Sequence, residues 1–355
     1  MTILVVNAGS SSLKLSALDD RDGVVAEEAI AAWDGRDDAP IGAFAARVGA
    51  VDAVGHRVVH GGVEFTDAVM LDERVIARLG VLGQLAPLHQ PRALGAIAAA
   101  RTVLRGVPQV ACFDTAFHAS IPPAAHTYAL PEAWRTRWPL RRFGFHGLSH
   151  AYAARRAAEL AGRPVGELHL VTCHLGAGAS LCAVRAGRSV DTTMGFTPLE
   201  GLVMATRAGS VDPGLVVWLL QSGGLAVGDV SEALESSSGL LGLAGSADMR
   251  EVIERRTAGD ARATLAFDVY VHRLRRELGA MRAALERFDA CVFTGGVGER
   301  AAAVRAACGL EVDAAANERT TTDGEISPFD AATRVFVVTA REDLEIARQV
   351  RSLLA

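Results

Sequence analysis

The sequence predicts an α/β protein built from a duplicated unit, and three observations carry that expectation. Strand-like runs alternate with helical periodicities along the 355 residues, the pattern of sheets covered by helices. Three apolar runs each break into a turn of glycine or serine. Two of these turns share one grammar about half a chain apart, and internal repetition is the first guide to architecture. The length agrees, since it gives two domains each able to bury a core of its own.

Residues 3–6 are a β-branched and leucine run that enters Asn7-Ala8-Gly9-Ser10-Ser11-Ser12, and residues 13–18 resume an apolar/polar alternation. That reads as strand, turn, strand. Residues 54–59, which contain Arg57, and 110–113, which precede Asp114, are further strand-like runs. Helical spacing is clear at 92–104 and 151–161, the latter with Ser149 as candidate cap. Residues 168–173 form a strand, His174-Leu175-Gly176-Ala177-Gly178-Ala179-Ser180 a turn, and 181–184 a strand. Allowing one inserted residue, Asn7-Ala8-Gly9 falls on His174-Leu175-Gly176. Helices follow over 215–220 and 263–288, and the strand 290–294 opens into Gly295-Gly296-Val297-Gly298-Glu299. Residues 335–339 are a strand ahead of Glu342, and the helix 343–354 is long enough to return to the first domain. The expected domains are 1–117 with 343–355, and 118–342, with one phosphate loop each opening on a shared cleft.

Composition narrows the partners. Half the residues are apolar, 22% are charged and the net charge is −5, so there is no basic footprint for nucleic acid or an anionic membrane. A small molecule is the expected ligand. Residues 1–6 are too short and uncharged for a signal peptide. The longest uncharged stretch, 213–228, falls short of the roughly 20 apolar residues of a membrane span. The five cysteines form no C-x-x-C and sit mostly in apolar runs, which points to a cytoplasmic protein. Of the 36 basic residues 35 are arginine. Lys14, the sole lysine, lies at the end of the first turn.

Small-residue turns after strands let backbone N–H groups approach phosphate. Three in one chain point to a nucleotide, although neither the P-loop nor the full dinucleotide fingerprint is present. Asp114, Arg57 and Glu342 at or near strand ends are candidates for a cleft, because an unpaired buried charge costs several kcal/mol. The pairs His56/His60 and His146/His150 are four apart but lack the glutamate of a zinc helix, which makes zinc a weak alternative.

Val5-Val6-Asn7-Ala8-Gly9-Ser10-Ser11-Ser12-Leu13-Lys14 resembles the opening signature of acetate kinases. Phe143-Gly144-Phe145-His146-Gly147-Leu148-Ser149-His150 and Asp191-Thr192-Thr193-Met194-Gly195-Phe196-Thr197-Pro198-Leu199-Glu200-Gly201 resemble two more of that family's signatures. Shorter matches at 55–62, 86–89, 113–118 and 238–242 keep the family's order across the chain. The resemblance implies the duplicated actin-like ATPase (ribonuclease H-like) fold. It also implies reversible, magnesium-dependent transfer of the ATP γ-phosphoryl to acetate, giving acetyl phosphate and ADP. Manganese is the alternative ion, and a homodimer is the implied assembly. A carboxylate acceptor is already ionised, so positioning and charge neutralisation are the protein's task.

Roles carry over by motif. Arg57 and Arg207 would hold acetate and the phosphoryl oxygens. His146 and Asn7 would contact the transferring group. Glu342 and Asp114 would organise the metal through waters, with Asn7 beside them. Lys14, Ser10, Ser12, His174, Leu175, Gly176, Ala177 and Gly178 belong to the two phosphate loops. Asp248, Met249, Arg250, Gly295, Gly296, Val297, Gly298 and Arg300 match positions near the nucleotide. Val59, Leu88, His89, Phe145 and Pro198 match the acyl pocket. The chain departs from the family at Ala177 and Arg300, each usually Asn, and before Glu342, where it reads Thr339-Ala340-Arg341. A propionate or butyrate kinase is the near alternative. A nucleotide-driven clamp, which needs no acceptor set, is the distant one.

Overall fold

The computed structural model describes every residue except Ser10, Ser11, Pro87 and Leu88. Contacts divide the chain into two units: Met1–Ala119, Phe145–Tyr152 and Arg341–Ala355 form one, and Ser120–Gly144 with Ala153–Ala340 the other. The expected spans and these units differ chiefly at Phe145–Tyr152. That segment packs with the first unit because the Gly147 N–H donates to the Asp114 carbonyl at 2.9 Å and His118 Nε2 lies 2.9 Å from the Phe145 carbonyl.

The first unit is built on a sheet of β1 (Ile3–Ala8), β2 (Ser12–Leu18), β3 (Val24–Ala31), β4 (Ala53–Val58), β5 (Val69–Met70) and β6 (Gln109–Phe113). Their order is β3-β2-β1-β4-β6-β5. β1, β4 and β6 run parallel, while β2, β3 and β5 are antiparallel to their neighbours. The two-residue period of a strand decides which face each side chain joins. Leu4, Val6 and Ala8 of β1, with Leu13 and Leu15 of β2, pack against Ile41, Phe44, Ala96 and Ala100 of the helices Ala39–Val48 and Gln90–Val103. Ile3, Val5 and Leu18 pack on the other face against Ile346, Ala347 and Val350 of the helix Glu342–Leu354. Each such large aliphatic side chain buried stabilises the fold by about 1.5–3 kcal/mol. Asn7 falls in the Ile3/Val5 series, and so lies on the face that the C-terminal helix covers. Lys14 is its direct cross-strand partner and shares that face, exposed between buried Leu13 and Leu15.

The second unit carries β7 (His169–Leu175), β8 (Ala179–Arg185), β9 (Arg188–Thr192), β10 (Ala290–Thr294), β11 (Gly324–Glu325) and β12 (Arg334–Val337). Its order, β9-β8-β7-β10-β12-β11, repeats the first sheet strand for strand, with the same directions. The duplication is therefore one of whole sheets. β1 ends in Asn7-Ala8 and β7 in His174-Leu175. The turn after each is closed by its glycine, Gly9 N–H to Ser12 O at 2.8 Å and Gly176 N–H to Gly178 O at 2.9 Å.

Several local expectations are corrected by tertiary pairing. The turn expected over 174–180 contracts to residues 176–178, because His174 and Leu175 stay in register with Ser180 and Ala179. The Gly295-to-Glu299 junction is helical, within Gly295–Arg300. The helix expected to reach residue 288 stops at Ala283, where short-range bonds such as Leu285 N–H to Arg282 O close it. Ser149 is not a cap. The helix starts at Gly147, so Ser149 is buried inside its first turn, and His146 before it takes a φ of 57°. A left-handed non-glycine residue is strained backbone, held here by its surroundings. No helix among the described residues is long and apolar enough to cross a membrane.

Candidate active site

In the first unit the carboxyl ends of β1, β4 and β6 place Asn7, Arg57 and Asp114 side by side, and the helix Glu342–Leu354 adds Glu342 at its first residue. Asp114 directly follows β6, and its N–H continues the ladder to Val58 O at 3.0 Å. Arg57 grips it bidentately, Nη2 to Oδ2 at 2.6 Å and Nε to Oδ1 at 3.1 Å. Arg57 Nη1 also donates to Asn7 Oδ1 at 3.2 Å, while Asn7 Nδ2 donates to Glu342 Oε2 at 2.9 Å. Glu342 Oε2 lies 3.7 Å from Arg57 Nε. The quartet is a closed polar circuit carrying two carboxylates and one guanidinium.

Burial pushes the Asp114 carboxyl up to about 6, against the charge and hydrogen bonds of Arg57, and the Glu342 charge adds to the rise. Burial also works against the Arg57 cation, but the charges of Asp114 and Glu342 outweigh it and hold the guanidinium above its ordinary value. The circuit sets one positive group against two negative ones. Its donors are carboxylate and amide oxygens, the hard set that magnesium or manganese takes while keeping several waters. No group of three or more His, Cys, Asp or Glu that could hold an ion exists among the described residues.

His146 sits in the same unit, between buried Phe145 and the Gly147 N–H bound to Asp114 O. Val59 and Phe145 are both buried, 5% and 1% exposed, and the His60 ring meets Phe145 edge-on at 5.5 Å. His89 precedes the helix Gln90–Val103. Ser12 opens β2. Ser10 and Leu88, expected in the phosphate loop and acyl pocket, lie outside the described residues.

The second unit contains a cavity of about 930 Å³ lined by Gly176, Ala177, Asp248, Met249, Arg250, Gly296, Val297 and Arg300. Six of the eight residues matched to the nucleotide site are thus brought together with Gly176 and Ala177 of the second glycine turn. Asp248 caps the helix Met249–Thr257 through Arg250 N–H and pairs with the Arg250 guanidinium at 2.6 Å. Gly295, at φ +78°, passes so close to β7 that a Cβ there would lie 2.8 Å from the Leu175 carbonyl. Gly178, His174, Leu175, Gly295 and Gly298 are near in sequence to the lining but are not part of it.

Sequence reasoning missed Thr206, Tyr270, Glu254 and Glu318, which also line the cavity. Tyr270 comes from the middle of the helix Ala261–Ala283, and no turn or motif marks it. Its hydroxyl is buried without a partner among the described residues. Arg207 lies elsewhere in the unit and donates through Nη1 to the Pro198 carbonyl at 2.8 Å. No carboxylate among the described residues pairs with it. Burial lowers its guanidinium pKa, with the Glu235 charge opposing. It is a cation suited to an anionic ligand.

A model of the acetokinase family matches residues 42–348. The chain belongs to the acetokinase family. An acetate kinase of Synechococcus sp. is 44% identical over 404 aligned positions, covering 100% of this chain and 99% of the relative. Because 404 positions exceed the chain's 355 residues, this acetokinase lacks segments that its relative carries. Among solved structures, the acetate kinase of Porphyromonas gingivalis superposes with a TM-score of 0.92 at 34% identity, covering 100% of both chains. A propionate kinase from Francisella tularensis follows at 0.91 and 31%, covering 98% of each. The fold of this acetokinase is the duplicated actin-like ATPase fold, and the protein is a kinase. The family implies ATP and ADP as co-substrates together with a divalent metal.

Proposed function

We propose that this acetokinase transfers the γ-phosphoryl group of ATP reversibly to acetate with magnesium as its metal, giving acetyl phosphate and ADP by direct in-line displacement. The observation that carries the reading is the partly buried circuit of Asn7, Arg57, Asp114 and Glu342. It offers a planar fork for oxyanions and oxygen donors for a cation, and an ionised acceptor needs no general base.

Arg57 and Arg207 would orient the acetate carboxylate and neutralise phosphoryl oxygens. His146 would donate to an equatorial oxygen of the transferring group, and removing one such donor typically costs about 3–4 kcal/mol in the barrier. Asn7, Asp114 and Glu342 would hold magnesium through waters; when bound, the ion neutralises charge on the phosphate oxygens. The cavity around Gly296 and Val297 would take the adenosine, with Lys14 and the two glycine turns contacting phosphates.

A hydroxamate assay with acetate, ATP and magnesium tests this directly. Acetyl phosphate is expected, and none under any divalent ion overturns the reading. Arg207→Ala should lose kcat by orders of magnitude while retaining ATP binding. Propionate is the second reading, favoured by the likeness to the Francisella propionate kinase. One methylene in an apolar pocket discriminates by about 1–3 kcal/mol. Val59 is branched and buried, so Val59→Ala should raise propionate kcat/KM relative to acetate. An unchanged ratio removes Val59 from the pocket.

We also propose a cytoplasmic homodimer. Five buried free thiols suit a reducing compartment. The helix Pro213–Gln221 exposes Leu215, Val217 and Trp218, and Val227 nearby is 73% exposed. Exposed apolar side chains of this kind are suited to burial against a second copy. Light scattering on the purified chain should give twice the monomer mass, and a monomer at micromolar concentration rejects the pairing.

A further inference from the structure

The loop of residues 193–200 carries Pro198, whose carbonyl is the hydrogen-bond partner of Arg207. Its start is tied to β8, where the Thr193 N–H donates to the Leu181 carbonyl at 3.0 Å, and the Gly195 carbonyl accepts from the Phe143 N–H at 3.0 Å. Three polar side chains, Glu200, Tyr128 and Arg142, fasten the loop further. Glu200 accepts from Tyr128 Oη at 2.5 Å and from Arg142 Nη2 at 2.8 Å. Tyr128 Oη in turn accepts from the Phe196 N–H at 2.9 Å. Arg142 Nη1 donates to the Thr193 and Met194 carbonyls, each at 3.1 Å. Thr193, Met194 and Phe196 are therefore each linked to the Glu200 carboxylate through one intermediary, Arg142 or Tyr128. Gly195 shows how closely the loop lies on this group: a Cβ there would fall 1.7 Å from Glu200 Oε2 and 2.1 Å from Tyr128 Oη.

We propose that Glu200, with Tyr128 and Arg142, is a positioning residue for acyl-substrate binding. The carboxylate sets the loop, the loop sets the Pro198 carbonyl, and that carbonyl aims the Arg207 guanidinium. The inference rests on the acetate kinase reading, in which Arg207 meets the acceptor. It assigns to the glutamate of the 191–201 signature a task distinct from contact with substrate. A long side chain without a carboxylate partner keeps its rotamer freedom unless another group fixes it. Here the fixing group is a backbone oxygen, and its place depends on the Glu200 network. None of these residues lines the nucleotide cavity, so its disturbance should spare ATP.

The test compares Glu200→Gln, Tyr128→Phe and the double variant of the full chain with the unmodified protein in the hydroxamate assay. Acetate and ATP are titrated separately. Glu200→Gln is expected to lower kcat/KM for acetate by about tenfold or more, leaving KM for ATP within about twofold. Tyr128→Phe, the milder change, should show the same split at smaller size, and it decides the matter if the Gln variant fails to fold. Because both act on one route, the double variant should lose less than the product of the single losses. An acetate kcat/KM within about twofold of the unmodified chain, or parallel changes for acetate and ATP, overturns the proposal. Absence of acyl phosphate from the unmodified chain instead rejects the functional reading on which it rests.

Discussion

Arg57 meets Asp114 with both arms of its fork, at 2.6 and 3.1 Å, while its remaining nitrogen reaches Asn7 at 3.2 Å. One guanidinium thereby spans the ends of three neighbouring strands. A lysine has the charge but not the planar reach. Arg57→Lys is expected to lower kcat/KM for acetate by about 100-fold, near 3 kcal/mol in the barrier. Initial rates check this, and a loss of no more than about threefold would mean that a point charge suffices there.

Lys14 stands opposite Asn7 on the same face of the sheet, exposed and with no ion pair among the described residues. Its replacement should leave the fold intact, since nothing in the packing depends on it. Lys14→Arg is expected to weaken phosphoryl transfer while the melting temperature stays within about 2 °C. Full activity in that variant would make the sole lysine a residue of composition only.

Gly295 has φ +78° and approaches the Leu175 backbone. An alanine there meets both a disfavoured backbone conformation and a carbonyl inside contact distance, a cost of roughly 1–3 kcal/mol. Because Gly296 and Val297 beside it line the nucleotide cavity, Gly295→Ala should raise KM for ATP and lower the melting temperature together. Calorimetric titration with ADP would show it; unchanged affinity and stability would mean that the helix slides without consequence.

Burial lowers the His56 pKa to about 4, opposed only by its hydrogen bond with Gln109 at 2.8 Å. Unfolding then takes up a proton between that value and about 6.5, so the stability tied to a neutral His56 is intact above pH 6.5 and falls as pH drops toward 4. Burial shifts His60 in the same direction, to about 4. Asp114, lifted to about 6, acts in the opposite sense, so the comparison must be between variants. Between pH 7.5 and 5, His56→Gln should lose roughly 2 kcal/mol less stability than the unmodified chain. Urea midpoints at the two pH values measure it, and parallel losses would place the acid sensitivity elsewhere.

Much of the site was legible because its residues sit where strands end. Asn7, Arg57 and Asp114 each terminate or follow an apolar run, and a charged group there stands out against β-branched neighbours. Glu342 was legible because it follows the strand-like run 335–339. Ser149 was misread because its residue type suits a cap, whereas the cap position is decided by the bond from Gly147 to Asp114, 33 residues away in sequence. Tyr270 was invisible for a similar reason. A tyrosine inside a long helix reads as core until another element leaves its hydroxyl on a cavity wall.

Local pattern by itself determined the α/β class, the repeat of a strand-turn-strand unit, and the residue types at each strand end, because these depend on neighbours a few positions apart. Tertiary structure decided that the repeat extends to two whole sheets of one topology. It placed Asn7 on the face met by Glu342, 335 residues distant in sequence, and suspended the Pro198 loop from Glu200, Tyr128 and Arg142. Those arrangements rest on sheet order, strand register and long-range hydrogen bonds, whose free energy exists only once distant segments have paid the entropy of meeting.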